Sequence, residues 1–268
     1  MTTSVNIVAV VVIYEEQLMD TKTYQSFLGQ GNIPFLVYDN SKQAQPVDLK
    51  EKSRYIHDSS NGGVSKAYNR AIQWAQEISA THLLLLDSDS SFPENALKVY
   101  QEEVLKNENF IILPELISSE RKISPFYFNN GKARYGEGIE VGAIKLGKIL
   151  AINSASLLPL SILSEEKVFN EKLPLDWSDI YFFRKMGKQG VKAAHISLKV
   201  RHKLSDHELK TIESSQYRFK LLRKGIPEVS DNTSEKIQMY WWLLLKTVKL
   251  SWQYRSFWFI NHYFSFRK

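Results

Sequence analysis

The sequence predicts an α/β fold in which a mixed, mostly parallel sheet is flanked by helices and followed by a helical, basic and aromatic C-terminal segment. Short runs of Val, Ile and Leu alternate with helical patterns along the first half of the chain, and this order is typical of βαβ units around a parallel sheet. The chain has 268 residues, of which 43% are hydrophobic. It is therefore long enough to bury a full core.

Each element of the first half follows from its own stretch of sequence. Runs rich in Val, Ile and Leu predict buried strands of a parallel sheet over residues 5–14, 33–41, 53–58, 81–87 and 110–115. Apolar residues at helical spacing predict helices over residues 19–30, 64–79 and 93–105. The order of these elements gives the doubly wound arrangement.

The second half is less regular. Residues 115–150 are richer in Gly, Asn and charged side chains, which predicts antiparallel hairpins or a mobile loop over a site. A helix is predicted over 176–190, followed by two strands over 191–196 and 198–203. From about Asp206 onward the pattern is helical and basic.

This change in pattern predicts the domain organisation. We expect one domain over residues 1–205, divided into halves over 1–114 and 115–205, and a helical region over 206–268. The net charge is +6, and no Asp or Glu lies between Tyr240 and Lys268. Basic, aromatic helices are typical of segments that lie on an anionic membrane surface. Packing against the first domain or against a second copy of the chain, as a homodimer, is the alternative.

The composition also excludes several kinds of site. There is no cysteine, so disulfides, thiolate metal sites and cysteine nucleophiles are excluded. No nucleic-acid-binding module accompanies the basic residues, so nucleic acid is not an expected partner. No segment supplies the ~18 apolar residues that a membrane span needs, and the N-terminal apolar run lacks the features of a signal peptide. We expect a cytoplasmic protein that is peripheral at the inner face of the cell membrane.

Polar residues stand at three predicted strand ends, where the ligands of open α/β sheets bind. These ends are Asp39-Asn40, Asp58–Gly63 and Asp87–Ser90. Asp87 and Asp89 repel one another unless water or a cation neutralises them, and a divalent cation with oxygen ligands meets that need. A solvated turn leading into the following helix is the alternative.

Three further groups of residues are candidates for the site. Gly62 and Gly63 precede a predicted helix and let the backbone approach a ligand, unless they form an ordinary turn. Asp176 and Asp179 are three residues apart and share one face of a helix, where either serves the site or caps the helix. His202 is a metal ligand or a structural histidine.

Taken in order, these motifs resemble those of the family 2 glycosyltransferases, which have the Rossmann-like GT-A fold, and most closely their bacterial rhamnosyltransferase-like branch. The resemblance covers about residues 5–205 and rests on Ile13-Tyr14, Asp39-Asn40, the Asn61-Gly63-Ala67-Asn69 motif, the Asp87-Asp89-Ser90-Phe92-Pro93 motif, the Asp176-Trp177-Asp179-Ile180-Gly190 motif and His202. Six motifs in the family's order are hard to obtain by chance.

The resemblance implies where a nucleotide-sugar would bind. Tyr14, Asp39, Asn40, the loop formed by Asn61, Gly62 and Gly63, and Asn69 would hold the nucleoside, with the Asp39 carboxylate accepting from the N3–H of uracil or thymine. Asp87 and Ser88 would lie beside the ribose and diphosphate. Asp89 and His202 would bind Mn²⁺ or Mg²⁺.

The resemblance also implies a reaction. Asp179, with Asp176 as the alternative, would act as general base for a hydroxyl of a glycan or lipid-linked glycan, which attacks the donor sugar and inverts its anomeric centre. The family points to dTDP-rhamnose as donor in cell-surface polysaccharide synthesis, with UDP-hexoses or UDP-galactofuranose as alternatives. Two other classes remain open. One is a haloacid-dehalogenase-like phosphatase, whose motif the stretch around Asp87 resembles. The other is a catalytically inactive membrane scaffold.

Overall fold

The computed structural model of the chain describes residues 5–30, 33–49, 51–129, 131–136, 138–163, 167–202 and 211–265. The strands within these ranges are β1 (Ile7–Ile13), β2 (Phe35–Asp39), β3 (Arg54–His57), β4 (His82–Asp87), β5 (Ile111–Ser118), β6 (Arg121–Ser124), β7 (Phe126–Asn129), β8 (Lys132–Arg134), β9 (Gly142–Lys145), β10 (Ile149–Leu150), β11 (Leu157–Pro159) and β12 (Lys192–Arg201). The α-helices are α1 (Gly63–Glu77), α2 (Ala96–Lys106), α3 (Ser178–Lys188), α4 (Ile212–Val229), α5 (Thr233–Gln253) and α6 (Trp258–Phe264).

Among these strands, nine form the main sheet. Its path runs β3-β2-β1-β4-β11-β5-β12-β9, with β6 paired to β5. Strands β1 to β4 pair in parallel, and so do β5 and β12. β11 runs antiparallel between β4 and β5, so β5 and β12 point in the same direction as β4. The sheet is mixed but mostly parallel and is flanked by helices, which confirms the predicted fold class.

Apolar side chains project from both faces of the sheet, as the continuous apolar runs predicted. Alternate residues of β1 point to opposite sides: Val8 and Val10 pack with Ala71 of α1, whereas Val11 packs with Tyr100 and Val104 of α2. The central strands are therefore buried on both faces. A sheet buried in this way gives the loops at its carboxyl edge a rigid base.

Three elements differ from the predictions. The helix expected over 19–30 is a 3₁₀ turn at Leu18–Asp20 followed by a π-helical turn at Tyr24–Leu28, because Thr23 bonds to Asp87 and Ser90 and ties this segment to the loop after β4. The two strands expected near the end of the domain form the single strand β12, with an irregular register between His195 and Lys199. β11 was not predicted at all, because it has only three residues and ends in proline.

The region over 115–150 contains hairpins, one of the two predicted forms. β5 turns into β6 through Ser119 and Glu120, which both have left-handed backbone conformations with φ of 46° and 61°. Two successive residues with positive φ are typical of a tight hairpin turn. β10, β7 and β8 form a separate three-stranded sheet.

The C-terminal helices contribute to the apolar core on one side of the sheet. Phe219 of α4, Met239 and Leu243 of α5, and Phe259 of α6 are fully buried in the same apolar cluster as Val8 and α1. Asn232 and Thr211 cap α5 and α4, since their side chains accept from backbone N–H groups of the first turn. Among the described residues, no helix is long and apolar enough to cross a membrane.

A buried ion pair joins α3 to α5, and we expect it to matter for stability. The Nη2 of Arg184 lies 2.6 Å from Oε1 of Glu235, and the two side chains are 9% and 7% exposed. Replacing Arg184 by Met leaves the Glu235 charge buried without its guanidinium partner, so we expect a loss of about 3–5 kcal/mol in the free energy of unfolding. The double variant R184M/E235L removes both charges and should recover most of this loss. Urea denaturation measures both.

The matched control for this prediction is Arg54, which pairs with Glu77 at 3.1 Å on the surface with both side chains more than half exposed. Replacing Arg54 by Met should change the unfolding free energy by less than about 1 kcal/mol. A loss in R184M no larger than the loss in R54M would show that the buried pair contributes nothing beyond a surface pair.

Candidate active site at the carboxyl edge of the sheet

Several of the predicted site residues lie along one edge of the sheet, at the carboxyl ends of its parallel strands. Asp39 ends β2 and Asp87 ends β4. Tyr14 directly follows β1 and is about half exposed, at 51%. Because β1 lies between β2 and β4, Tyr14 stands between the two carboxylates along this edge.

Asp39 lies in a closed polar pocket. Its Oδ1 accepts the backbone N–H of Ser41 at 2.9 Å, and its Oδ2 accepts from the Tyr55 hydroxyl at 2.6 Å and from Nε2 of Gln45 at 3.2 Å. Burial alone would raise the pKa of Asp39, but these hydrogen bonds outweigh it and hold the pKa below its ordinary value. Asp39 is therefore an ionised acceptor at neutral pH.

The glycine loop is shaped by its neighbours. A side chain at Gly63 would meet the carbonyl oxygen of Pro174 at 2.1 Å, and the φ of Gly63 is +79°, so only glycine fits there. The Gly63 N–H bonds to Oδ1 of Asn40 at 3.3 Å, and the Gly62 N–H bonds to Oδ2 of Asp58 at 3.3 Å. Asn61 precedes them with a φ of +50°. The first N–H groups of α1 thus have partners within the protein.

Asn69 lies nearly two turns further into α1 and faces a different part of the chain. Its Nδ2 donates to the Phe169 carbonyl at 2.9 Å and to Oε1 of Glu171 at 3.1 Å, and its Oδ1 accepts the Phe169 N–H at 2.9 Å. These bonds tie α1 to the loop before α3. They do not bring the Asn69 side chain to the strand ends.

Asp87 is held from several directions. Its Oδ1 accepts from the hydroxyl of Tyr68 at 3.2 Å, its N–H donates to Oγ of Ser154 at 3.2 Å, and its carbonyl accepts from the Thr23 hydroxyl. Burial raises the pKa of Asp87, and the neighbouring Asp89 raises it further. The adjacent Ser88 accepts the Thr23 N–H at 3.1 Å through its carbonyl. The loop is therefore fixed.

Asp87, Asp89 and His202 form a compact cluster. One ligand atom from each lies within 4.8 Å of the others. The Nδ1 of His202 is 3.2 Å from Oδ1 of Asp89 and 3.0 Å from the hydroxyl of Ser90. Burial lowers the pKa of His202, but the neighbouring carboxylate of Asp89 and the charges of Asp87 and Asp179 raise it above its ordinary value. The cluster thus concentrates negative charge around one imidazole.

A buried oxygen in the cluster independently indicates that the cluster suits a divalent cation. Oδ1 of Asp89 is buried and receives no hydrogen bond with acceptable geometry, although the imidazole lies near it. A buried carboxylate oxygen in this state is costly unless a cation satisfies it. Two carboxylates and an imidazole suit Mn²⁺ or Mg²⁺. A solvated turn, the alternative from the sequence, does not explain the buried oxygen.

Asp179 lies in the first turn of α3, and its Oδ1 accepts the Asn153 N–H at 3.0 Å. Burial raises the pKa of Asp179 to about 7, and the charges of Asp87 and Asp176 add to that rise. The charge of His202 lowers it, and Ser154, next to Asn153, accepts the Asp87 N–H at 3.2 Å, so one short segment connects Asp179 with the cluster. A carboxyl group with this pKa is suited to accept a proton near neutral pH.

Asp176 has a different environment. Oδ1 of Asp176 receives Nη2 of Arg218 at 2.6 Å, and Oδ2 receives Nε at 3.4 Å. The two oxygens thus face a guanidinium group from α4. Of the two carboxylates that the sequence offered as bases, Asp176 faces this guanidinium group, whereas Asp179 forms no ion pair within the part of the chain that the structure describes.

Two groups of residues near the site were not predicted from the sequence. Arg218 and Tyr217 lie on α4, and the charge of Asp176 and the hydroxyl of Tyr14 both contribute to raising the Tyr217 pKa, after burial. Their proximity depends on tertiary packing and leaves no local pattern. A cavity of about 330 Å³ lies beside Asp89 and His202 and is lined by Lys22 and Arg201 as well. Basic residues in loops are too common to be recognised from sequence.

The position of Asp87 bears on the phosphatase alternative. In that class the aspartate motif closes the first strand of the sheet, whereas Asp87 closes β4, after β1, β2 and β3. The local likeness of the motif is therefore not accompanied by the topology of that class.

Comparisons with known proteins agree with this geometry. Residues 9–163 match the sequence model of "Glycosyl transferase family 2", whereas no curated protein sequence matches significantly. The structure of TarS from S. aureus superposes with a TM-score of 0.54 at 15% identity, over 98% of this chain and 44% of TarS. TarS 1-349 in complex with UDP-GlcNAc gives a TM-score of 0.52 at 13% identity, over 94% of this chain and 74% of that one.

A third similar structure is GalNAc-T7 with UDP, GalNAc and Mn²⁺, with a TM-score of 0.55 at 12% identity, over 97% of this chain and 57% of that one. At these identities the likeness is one of fold. This chain corresponds to less than half the length of the first TarS structure.

Proposed function

This chain belongs to glycosyl transferase family 2 and has the GT-A fold, and from that premise we propose that it transfers a sugar from a nucleoside diphosphate to a hydroxyl acceptor with inversion. The observation that carries the proposal is that two adjacent residues join the Asp87–Asp89–His202 cluster to Asp179: Ser154 accepts the Asp87 N–H, and the Asn153 N–H donates to Asp179. On one side of the site, the cluster offers ligands for a cation that stabilises the leaving diphosphate. On the other side, Asp179 offers a carboxyl group suited to accept the proton of the acceptor hydroxyl.

The leaving-group side consists of the cluster and its surroundings. Asp87, Asp89 and His202 would hold Mn²⁺ or Mg²⁺, which when bound supplies positive charge to the departing diphosphate. Lys22 and Arg201 line the adjacent cavity and add positive charge on the same side. Because negative charge on the diphosphate grows during transfer, positive charge fixed there stabilises the transition state more than the bound donor.

The base side consists of Asp179 and the groups that hold it. The Asn153 N–H fixes Oδ1 of Asp179 and leaves Oδ2 to accept the proton of the acceptor hydroxyl. Since burial raises its pKa to about 7, a large fraction is ionised at neutral pH, yet the carboxylate is more basic than an exposed one. Asp176, paired with Arg218, is the less suited alternative.

The nucleoside is proposed to bind at the carboxyl ends of β1 to β3. Tyr14 offers an exposed ring for stacking, and the ionised Asp39 would accept the N3–H of uracil or thymine. Oδ1 of Asp39 accepts the Ser41 N–H, which orients the carboxylate in the pocket. Asn40, Asn61, Gly62 and Gly63 would shape the pocket wall. Asn69 would act indirectly, by holding the loop before α3 in place.

The donor and acceptor are the finer part of the proposal. The resemblance to the rhamnosyltransferase-like branch favours dTDP-rhamnose, with UDP-hexoses and UDP-galactofuranose as alternatives, and a glycan or lipid-linked glycan as acceptor in cell-surface polysaccharide synthesis. We propose that residues 1–114 bind the donor, that residues 115–205 form the acceptor side, and that residues 206–268 bring the enzyme to the inner face of the cell membrane from the cytoplasm.

The membrane part of the proposal rests on one face of α5. Five apolar residues, each more than half exposed, follow one another at intervals of three or four along this helix: Ile237, Trp241, Leu245, Val248 and Trp252. Such spacing places them in one stripe. Lys249 and Arg255 are exposed near its C-terminal end. An apolar stripe flanked by basic and not acidic groups complements an anionic lipid surface.

We expect the double variant W241E/W252E to bind phosphatidylglycerol vesicles at least about 10-fold more weakly than the native chain, since it replaces the two largest apolar groups by charges that anionic lipid repels. Vesicle sedimentation measures this. Leu105 on α2 is 74% exposed, so L105E is the matched control and should bind as the native chain does. If the native chain does not sediment with vesicles and light scattering finds a dimer that W241E/W252E abolishes, the stripe binds a second copy.

A thermal-stability screen tests the proposed function. We would heat the chain with individual nucleoside diphosphate sugars, with and without Mn²⁺. A ligand at about one hundred times its Kd adds about 2.7 kcal/mol to the folded state, which is a rise of roughly 5–10 °C in Tm for a chain of this size. We expect one donor to give such a rise and Mn²⁺ to increase it. No shift with any uridine or thymidine diphosphate sugar would contradict the proposal.

A further inference from the structure

The turn that leads into α3 is held from outside by α4. Trp177, the residue before α3, has a left-handed backbone with φ of +70°, which is unfavourable for a bulky residue and needs support from its surroundings. Its Nε1 donates to the Leu222 carbonyl at 2.9 Å. A Cβ at Gly225 of α4 would lie 2.4 Å from Cδ1 of Trp177, so glycine at this position leaves room for the indole.

Arg218 provides the second anchor, one turn before Leu222 on α4. Its Nη2 and Nε approach the two carboxylate oxygens of Asp176 at 2.6 and 3.4 Å. The side chains of Arg218 and Asp176 are 25% and 12% exposed, so this pair is largely shielded from water. A forked contact between charged groups fixes orientation as well as distance.

We propose that Arg218 is a positioning residue for sugar transfer, which holds the Asp176–Trp177 turn so that Asp179 is presented to the acceptor hydroxyl from the first turn of α3. The inference rests on the proposed function, in which Asp179 is the base. In this proposal Asp176 helps to position the base and does not itself accept the proton. The C-terminal helices, beyond any contact with lipid, form part of the catalytic framework.

The geometry explains why a change on α4 would reach the reacting groups. Asp179 is two residues beyond Trp177, and its Oδ1 is fixed by the Asn153 N–H. If the turn relaxes from its left-handed conformation, the first turn of α3 rotates and this bond lengthens. A displacement of about 1 Å at a reacting group can cost 10²-fold in rate. Asp39 of the nucleoside pocket bonds instead to Ser41, Gln45 and Tyr55, which lie outside this turn.

The test combines a double-mutant cycle with hydrogen exchange. For R218M we expect kcat to fall by about 10–100-fold while the donor KM changes less than about twofold, with R218K in between because it keeps the charge and loses the fork. D176N should also lower kcat, and D176N/R218M should be no worse than R218M alone, since the two residues act as a pair. R54M is the control and should match the native chain.

Hydrogen exchange gives a readout that needs no substrate. In R218M, amide exchange should accelerate in peptides covering residues 176–182 and stay unchanged in those covering β1 and β4. Native exchange over 176–182 in R218M would overturn the inference whatever the activity, and so would additive losses of rate in the cycle. If D179N keeps full activity, the base assignment of the proposed function fails instead, and the exchange result still decides the role of Arg218.

Discussion

Replacing Asp179 by Asn is expected to lower kcat by about 10²–10⁴-fold, the range that general acid–base catalysis contributes, with nucleotide affinity nearly unchanged. The substituted amide keeps an oxygen for the Asn153 N–H that now bonds to Oδ1, so the turn and its surroundings stay in place. What is lost is the group that accepts the proton. Steady-state kinetics, with nucleotide binding by calorimetry, measure both quantities.

The pH dependence provides a second readout of the same variant. The carboxylate accepts a proton only when it is ionised, so the rate should rise as the pH passes the pKa of Asp179, which burial raises to about 7. A cation bound at Asp87, Asp89 and His202 would move this midpoint downward by favouring the ionised form. In D179N this rise of the rate with pH should disappear. Full activity would remove Asp179 from the base role, and loss of nucleotide binding would indicate a structural defect.

Replacing Asp89 by Asn is expected to weaken Mn²⁺ binding and to lower kcat/KM by about 10³-fold. A cation beside the leaving diphosphate contributes several kcal/mol to the transition state, and each 1.36 kcal/mol is a factor of ten in rate. The variant removes one of the two carboxylate charges and keeps the shape of the side chain. Titration with Mn²⁺ followed by electron paramagnetic resonance measures the affinity.

Asp48 supplies the matched control for this experiment, because it is an exposed carboxylate in the loop after β2. D48N removes the same charge from the chain and should leave Mn²⁺ affinity and rate unchanged. If D89N retains native Mn²⁺ affinity and metal-dependent activity, the cation binds elsewhere. Equal losses in D48N and D89N would mean that the effect comes from the net charge of the chain.

The parts of the fold that could be predicted are those with strong local patterns. β1 and β4 are continuous apolar runs, so their burial in the centre of a parallel sheet followed directly from the sequence. β11 could not be predicted, because a three-residue strand ending in Pro159 exists only through its pairing with β4 and β5. For the same reason the segment around Thr23 departs from a regular helix, since its hydroxyl bonds to the loop after β4.

The candidate site divides in the same way. Asp39 and Asp87 could be placed together, because the ends of parallel strands meet at one edge of a sheet. His202 comes to Asp89 from far along the chain, and only the resemblance to a family indicated that pairing. Arg218 pairs with Asp176 across 42 residues, and no local pattern marks it. The resemblance offered Asp179 and Asp176 as alternatives, and in the folded chain Asp176 faces Arg218 while Asp179 accepts the Asn153 N–H.

The central claim is that Asp87, Asp89 and His202 hold a divalent cation which contacts the diphosphate of a nucleotide-sugar. Crystals grown with Mn²⁺ and dTDP or UDP, with data collected at the manganese absorption edge, test it most directly. We expect an anomalous peak within bonding distance of Asp89 and His202, with the diphosphate on its far side and the nucleobase beside Tyr14. A nucleotide bound at this edge without manganese at these residues, or manganese bound elsewhere, would contradict it.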